Sequence, residues 1–344
     1  MFTKLTNLFA STKKPARKPA LGSFRPSIET LDAREMPSVA SGGLHAVAPT
    51  PTQPKASDYF YIDQNTHLLK QGAGTINGGA GTPVNVQTLS AGHDAQGHAD
   101  VFVKAGDGTF WEDLGGHWKQ LRGANVVKSY AAGDGGRCYA IMYDNTLDEF
   151  DGFNWIRINN SGFVSQLDAV TDTSGRDSVF ALGTDNSLWE YDQINPGGQF
   201  LANRLTNGSH AFSVVTSFSA GTDGLGNAEV FANFHSSIGA NTLYRNDHAS
   251  SGGWSFVMNE SGRQTFSATD NGCVWIAAPN GGISELDQYN HTVVSEGSFI
   301  GAVDISAATS NDVYIVSSGH SISEFYYVPG TGYRMDNFLG QAQF

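Results

Sequence analysis

The chain has 344 residues, of which 40% are apolar and only 15% charged, with 41 glycines. This is enough apolar material for a packed core, and the glycine content suits a turn-rich β protein rather than a helical or disordered one. Residues 1–40 carry seven Lys/Arg against three Asp/Glu, leaving 13 against 30 in residues 41–344. A body this acidic lacks the positive face that nucleic-acid binding requires.

Residues 5–10 are too short and polar for the apolar core of a secretory signal, and no run approaches the ~18 apolar residues of a membrane span. Residues 11–26 are rich in Pro and Lys and have little to bury, which predicts a flexible basic tail over residues 1–42. Within it, Ile28 and Leu31 stand at helical spacing and predict one or two amphipathic turns ended by Pro37. The residues Arg25, Pro26, Glu29, Leu31, Asp32, Arg34, Pro37 and Ser38 resemble the Leu-Glu-x-Arg-type motif at the N-terminus of many bacterial surface and exported proteins. Asp32 stands where that motif usually has Glu. The resemblance implies a secreted or cell-envelope location and nothing about fold. The missing secretory signal leaves a cytoplasmic location as the alternative.

From residue 43 onward the chain repeats. Val179–Tyr191 holds two short apolar runs around Asp185-Asn186 and reads as a β-hairpin. Phe180 and Leu188 lie eight residues apart, an interval that recurs at Phe60/Leu68, Phe102/Phe110, Tyr139/Leu147, Trp275/Ile283 and Tyr314/Ile322. A seventh copy, Phe231/Leu243, carries four extra residues in its turn. The hairpins recur about every 42 residues, the period of a β-propeller with one four-stranded blade per repeat. A small-residue strand precedes each later hairpin, as in Leu89-Ser-Ala-Gly92 and Phe218-Ser-Ala-Gly221, and suits the crowded position beside the axis. An outer strand follows, often opened by an aromatic such as Trp118, Trp155, Trp254 or Tyr333. The expected fold is all-β: a propeller of seven four-stranded blades over residues 43–344, with six blades as the alternative. Either Leu44–Val47 supplies the first inner strand, or Phe338–Phe344 pairs with the first blade to close the ring. Cys138 and Cys273 fall in the third and sixth repeats and predict two semi-buried thiols without a disulfide framework.

The loops after the inner strands repeat an Asp/Gly theme, as in Asp134-Gly-Gly136, Asp172-Thr-Ser-Gly175 and Asp223-Gly-Leu-Gly226. Asp folds over its own backbone in such turns and Gly takes the positive φ, so turn chemistry is the favoured reading over calcium. His93, Asp94, His98 and Asp100 crowd one loop, but nothing supplies the tight His spacing or distant ligand set of a zinc site. No metal, cofactor or catalytic residue is assigned. A nucleophile elbow and a phosphate-cradling loop are both absent. A carboxylate pair of glycosidase type has no local signature, so a hydrolase with its site in the central funnel stands as a third reading.

A Glu recurs two residues after the hairpin's second apolar position: Glu112, Glu149, Glu190, Glu285 and Glu324. With Phe110-Trp-Glu112 before Trp118 and Leu147-Asp-Glu149 before Trp155, the repeats resemble blades of fungal fucose-specific lectins and, more loosely, tectonin-type propeller lectins. The resemblance implies that an Arg before the aromatic and this Glu grip one sugar while an aromatic of the next blade stacks on it. Arg and Glu suit vicinal hydroxyls, and an aromatic face suits the C–H face of a sugar. Carried onto this sequence, it points to Arg137 with Glu149, and to Glu112 with Trp155. The second repeat has Asp100 in place of Arg, and the fourth has Pro196 in place of the stacking Trp. The fifth reverses the charges with Glu229 and Arg245, which reads as a structural ion pair. A turn at Asp144-Asn145 puts Arg137 and Glu149 on opposite faces unless a bulge or odd-length loop intervenes. Alternatively, the recurring Glu serves backbone donors between blades.

The expected function is a non-catalytic glycan-binding module with Glu112, Arg137, Glu149 and Trp155 as ligand contacts. The alternative is a protein-interaction or structural envelope propeller without a small ligand. Partners are a glycan or a surface protein, with no nucleic acid.

Overall fold

The structure, a computed structural model, describes residues 44–47, 58–71, 74–94, 96, 98–192, 198–202, 214–235, 241–247, 254–260, 265–269, 272–278, 281–287, 292–298, 302–309, 312–328 and 332–341. The helical turns expected over 27–37 and the tail around them lie outside these residues.

The described residues form seven antiparallel sheets of four strands, each built from one stretch of chain in simple sequential order. Blade 1 comprises Leu44–Val47, Asp58–Ile62, Leu69–Gln71 and Gly74–Thr75. Blade 2 comprises Val86–His93, Ala99–Ala105, Phe110–Leu114 and His117–Arg122. Blade 3 comprises Val127–Ala132, Cys138–Met142, Leu147–Phe150 and Trp155–Asn159. Blade 4 comprises Val164–Thr171, Asp177–Gly183, Leu188–Asp192 and Gln199–Ala202. Blade 5 comprises Val214–Thr222, Ala228–His235, Asn241–Asp247 and Trp254–Glu260. Blade 6 comprises Thr265–Ala268, Val274–Ala277, Gly282–Asp287 and Thr292–Ser298. Blade 7 comprises Ala302–Thr309, Asp312–Ser317, Ser321–Val328 and Gly332–Gln341.

The first strands of successive blades lie side by side around the axis, and the first strand of blade 7 lies against that of blade 1. This decides how the ring closes. Leu44–Val47 is the inner strand of blade 1, whereas Gly332–Gln341 pairs with Ser321–Val328 inside blade 7. Among the described residues no strand is exchanged between these two blades. They meet through side chains, with Tyr59 stacked on Tyr314 at 4.8 Å between ring centroids and Tyr61, Val316 and Ile322 buried beside them.

The inner strands explain the small-residue motif. Ala91, Ala132, Ala169, Ala220, Ala268 and Ala307 are all buried. In four blades the residue before this alanine reaches the next blade. Ser90 Oγ accepts from the Ala132 amide (2.9 Å), Ser219 Oγ from Ala268 (3.1 Å) and Ser267 Oγ from Ala307 (3.2 Å). In blade 4 the same place is held by Asp168, whose Oδ2 accepts from the Ala220 amide at 2.8 Å. Blade 3 has Ala131 there and offers no hydroxyl. The Ala169 amide, which would have used it, instead donates to Asp168 Oδ1 at 3.0 Å. One carboxylate thus serves two amides that two serines would otherwise serve. Buried backbone donors need such partners, because an orphaned one costs as much as a lost hydrogen bond.

The hairpins share one turn chemistry. Asp144 Oδ1 accepts from the Thr146 amide (3.1 Å) and hydroxyl (2.6 Å), and Asn145 sits at φ 61°. Asp107 with Gly108 and Thr109, and Asp185 with Asn186 and Ser187, repeat the arrangement. Short polar residues and glycine tolerate this left-handed backbone better than other residues do. Met142 N donates to Thr146 O, so the loop proper has three residues, Tyr143 to Asn145. The Asp/Gly loops at the opposite end of the hairpins are also turn chemistry. Asp94, Asp172 and Asp223 each use Oδ1 to accept two amides of their own loop at 2.8–2.9 Å.

Both cysteines are buried, at 0% and 6% exposure, deeper than the semi-buried positions expected. No helix among the described residues is long and apolar enough to cross a membrane.

Candidate functional site

The odd-length hairpin loop of blade 3 settles the question of faces. Tyr139 pairs directly with Glu149 across the strands, so Arg137, Tyr139 and Glu149 share one face. That face meets blade 4, where Ile141 and Leu147 pack with Val179, Ala181 and Tyr191. The opposite face of blade 3, with Cys138, Ala140 and Phe150, meets Phe102 and Phe110 of blade 2. Trp155 packs on this second side. The four candidate residues therefore fall at two adjoining blade boundaries, Glu112 with Trp155 between blades 2 and 3, and Arg137 with Glu149 between blades 3 and 4.

In the second of these, Arg137 is held across the blade boundary. Its Nε lies 2.9 Å from Asp177 Oδ2 and donates to the Asp134 carbonyl at 2.9 Å. Its Nη2 donates to Asp177 Oδ1 at 3.2 Å and to the Gly175 carbonyl at 3.1 Å. Asp177 also accepts from the Tyr139 hydroxyl and from Thr171 Oγ1, each at 2.6 Å. Burial pushes the Asp177 carboxyl up to about 6, against the pull of Arg137, Thr171 and Tyr139. Glu149 is half-buried, and burial raises its carboxyl while Arg137 pulls it down. Tyr139 is thus set between two carboxylates, one from each blade. Among the described residues these contacts use Nε and Nη2, which leaves the two Nη1 donors of the five that a guanidinium carries.

Between blades 2 and 3, Glu112 is buried at 1% exposure, with Lys119 Nζ 3.8 Å from its Oε2. Burial drives its carboxyl up to about 7 despite Lys119. Burial and the charges of Asp100 and Glu112 push the Cys138 thiol well up, so it stays protonated and unreactive. Trp155 packs at a tilt against Phe150 (5.4 Å) and Phe110 (6.2 Å), and the Arg122 guanidinium lies 4.6 Å over its ring. A cation–aromatic contact thus takes the indole face that the resemblance assigns to a sugar.

The repeated Glu follows its cross-strand neighbour. Glu324 accepts from the hydroxyl of its cross-strand neighbour Tyr314 at 3.4 Å. Where the neighbour is Phe102, Glu112 turns to Lys119 instead. In blade 5 Arg245 occupies this position, and Glu229 lies two residues before Phe231 on the same face.

Sequence reasoning missed Asp177, Thr171 and Arg122. A signal for Asp177 existed: three residues before the hairpin aromatic, other repeats carry Ala99, Gly136, Ala228 or Gly272. No local pattern marked Arg122, whose partner lies in the next repeat.

The Glu112 carboxyl has a pH consequence. The folded protein keeps its proton up to about 7, whereas its ordinary value is 4.5. The native state then binds more protons than the unfolded chain across that window, so stability falls as pH rises through it and levels off above. Glu112→Gln is expected to flatten this slope. Thermal midpoints from about pH 5 to about pH 8 test it, and equal slopes for both proteins would show that Glu112 is already ionised at pH 5.

The architecture defines the class: the chain is a seven-bladed β-propeller. Neither any protein-family model nor any curated protein sequence matches it. Among solved structures, the WD40 propeller domain of Doa1 aligns with a TM-score of 0.50 at 13% identity, covering 87% of this chain and 91% of that one. YCF48 from Cyanidioschyzon merolae gives a TM-score of 0.50 at 12% identity over 89% of this chain and 98% of that one. The SapL1 lectin, solved with alpha methyl fucoside, gives 0.46 at 18% identity over 73% and 95%. At these identities the likeness is one of fold.

Proposed function

We propose that this propeller is a non-catalytic binding module for surface glycans, with its principal crevice between blades 3 and 4. The observation that carries this reading is the shared face of Arg137, Tyr139 and Glu149, which the three-residue hairpin loop creates. It sets a guanidinium and a carboxylate beside one crevice, the pair of groups that vicinal hydroxyls bind. Asp177 pre-orients the guanidinium, which lowers the ordering cost of binding. The export-associated motif in the tail supports a secreted or envelope location, with residues 1–42 as a separate segment from the propeller.

Affinity per site is expected to be weak, about −4 to −6 kcal/mol, or millimolar to high micromolar. Exposed sugars offer little apolar surface, and their hydroxyls are already hydrated. Replacing Glu149 by Gln keeps the shape and removes the charged acceptor, at a cost of about 1.5–3 kcal/mol in binding. Titration of fucosylated and non-fucosylated glycans against wild type and Glu149→Gln tests the proposal. If no glycan binds the wild type at millimolar concentration, it fails.

A second reading, a protein-interaction propeller without a small ligand, draws on two contacts. Arg137 is already engaged by Asp177, and Arg122 already covers Trp155. Failure of every glycan in the titration puts this reading in first place.

A further inference from the structure

Each carboxylate oxygen of Asp177 meets one hydroxyl and one guanidinium N–H. Thr171 Oγ1 and Arg137 Nη2 donate to Oδ1 at 2.6 and 3.2 Å. The Tyr139 hydroxyl donates to Oδ2 at 2.6 Å, and Arg137 Nε lies 2.9 Å from the same oxygen. Thr171 Oγ1 also accepts from the Asp134 amide at 3.0 Å. Asp134 belongs to the loop that leads into Arg137, and its carbonyl accepts from Arg137 Nε at 2.9 Å. One hydroxyl of blade 4 therefore ties both sides of the Arg137 contact: the blade 3 loop beside the guanidinium and the carboxylate that receives it.

The terminal torsion of an Asp side chain is soft, so its carboxylate plane needs outside support to meet a planar guanidinium fork. Thr171 is suited to give it. The residue is 6% exposed, and a β-branched side chain is stiff at χ1. Its hydroxyl accepts from Asp134 and gives its one proton to Asp177. Gly133 makes room for this packing, since a Cβ there would stand 2.9 Å from Asp177 Oδ2 and 3.1 Å from Tyr139 Cε2. A Thr recurs at this place in blades 5 and 6, as Thr222 and Thr269, but those blades carry Ala228 and Gly272 where blade 4 has Asp177. Thr269 Oγ1 instead donates to the Cys273 carbonyl at 3.2 Å, inside its own blade. Blade 4 thus turns a residue of the repeat toward the neighbouring Arg.

We infer that Thr171 is a positioning residue: it holds the Asp177 carboxylate in register and, through it, fixes the Arg137 guanidinium at the boundary of blades 3 and 4. The consequence for a ligand rests on the glycan-binding reading above, whereas the coupling from Thr171 to Arg137 does not. The groups that act on Asp177 are Arg137, Tyr139 and Asp134 from blade 3 and Thr171 from its own blade. Arg176, next to it in the chain, is turned to Asp172, and Glu149 interacts with Arg137 and Tyr139. Burial pushes the Asp177 carboxyl up to about 6, and the Thr171 hydroxyl is among the groups that pull it down. Removing that hydroxyl therefore moves the titration up, and Arg137 loses its anion nearer neutral pH.

The test compares wild type, Thr171→Val and Thr171→Ser by NMR, following the Asp177 carboxyl carbon and the Arg137 Nε from about pH 4 to about pH 8. In wild type both signals are expected to move together, with a midpoint of about 6. This comparison needs no variant. Thr171→Val keeps the size and removes the hydroxyl, and it is expected to raise the common midpoint by about one pH unit. Thr171→Ser keeps the hydroxyl and is expected to restore the wild-type midpoint, which a role in packing alone would not predict. If the Val variant does not fold, Thr171→Ala makes the same comparison. With midpoints one unit apart, the glycan of the earlier titration is expected to bind the Val variant about threefold more weakly than wild type at about pH 6.5, the ratio of their ionised fractions. An Asp177 midpoint unmoved by loss of the hydroxyl, a midpoint that stays high in Thr171→Ser, or an Arg137 signal that does not follow Asp177 overturns the inference. If the signals behave as expected and no glycan binds wild type at millimolar concentration, the glycan reading fails and the coupling stands.

Discussion

Asp177→Ala is expected to lower the free energy of unfolding by about 3–5 kcal/mol, the usual cost of removing one partner from a buried ion pair. The carboxylate accepts from Thr171 Oγ1 and the Tyr139 hydroxyl at 2.6 Å and engages Arg137 through both oxygens. Truncation leaves the Arg137 side chain, only 19% exposed, without its anion, and it strands two hydroxyls at the junction of blades 3 and 4. Asp177→Asn keeps an acceptor and the size, so its cost is expected to be smaller. It also isolates the effect of charge. The Asp177 carboxyl is pushed up to about 6 from an ordinary 3.8, so the native state binds the proton that the unfolded chain releases between those values. Stability therefore falls as pH rises from about 4 to about 6, and the Asn variant should lose this slope. Denaturant unfolding at several pH values checks both points. An Ala variant within about 1 kcal/mol of wild type would show that the junction repacks around the loss.

The inner strand of blade 4 offers a second large effect with a built-in rescue. Asp168→Ala removes the acceptor of both the Ala220 and Ala169 amides and is expected to cost about 3 kcal/mol, from two unsatisfied buried donors at about 1–3 kcal/mol each. Asp168→Ser should recover the Ala220 bond, as Ser219 and Ser267 serve the equivalent amides of the following blades, but it leaves Ala169 orphaned. Adding Ala131→Ser supplies the missing hydroxyl from blade 3. The double variant is expected to regain about 1–2 kcal/mol over Asp168→Ser, a coupling that a double-mutant cycle measures directly. Additive effects would show that a serine at 131 does not reach Ala169. The pair also removes a fully buried carboxyl that burial raises well above its ordinary value. Wild-type stability falls as pH rises above that ordinary value, and the serine pair should not show this loss.

The repeat was legible in the chain because it rests on local chemistry. The eight-residue interval from Phe102 to Phe110 or from Tyr139 to Leu147 follows from a three-residue loop with an Asp, a left-handed Asn or Gly, and a Thr or Ser. The Ser-Ala pairs beside the axis follow from crowding there. Patterns within about 42 residues predict seven blades and the small inner strands, with six blades as the alternative, and leave open the choice between Leu44–Val47 and Phe338–Phe344 for ring closure. What the chain could not show is how one blade meets the next. The parity of the hairpin loop decides whether Arg137 and Glu149 share a face, and a turn at Asp144-Asn145 read from sequence left both answers open. The partners of Arg137, Trp155 and Asp168 lie in neighbouring blades, at Asp177, Arg122 and Ala220. The Arg137 and Trp155 contacts leave no periodic trace in the sequence, because each is made once, whereas Asp168 stands in for a serine that recurs in other blades. Packing of two faces sets them, and only the assembled ring brings those faces together.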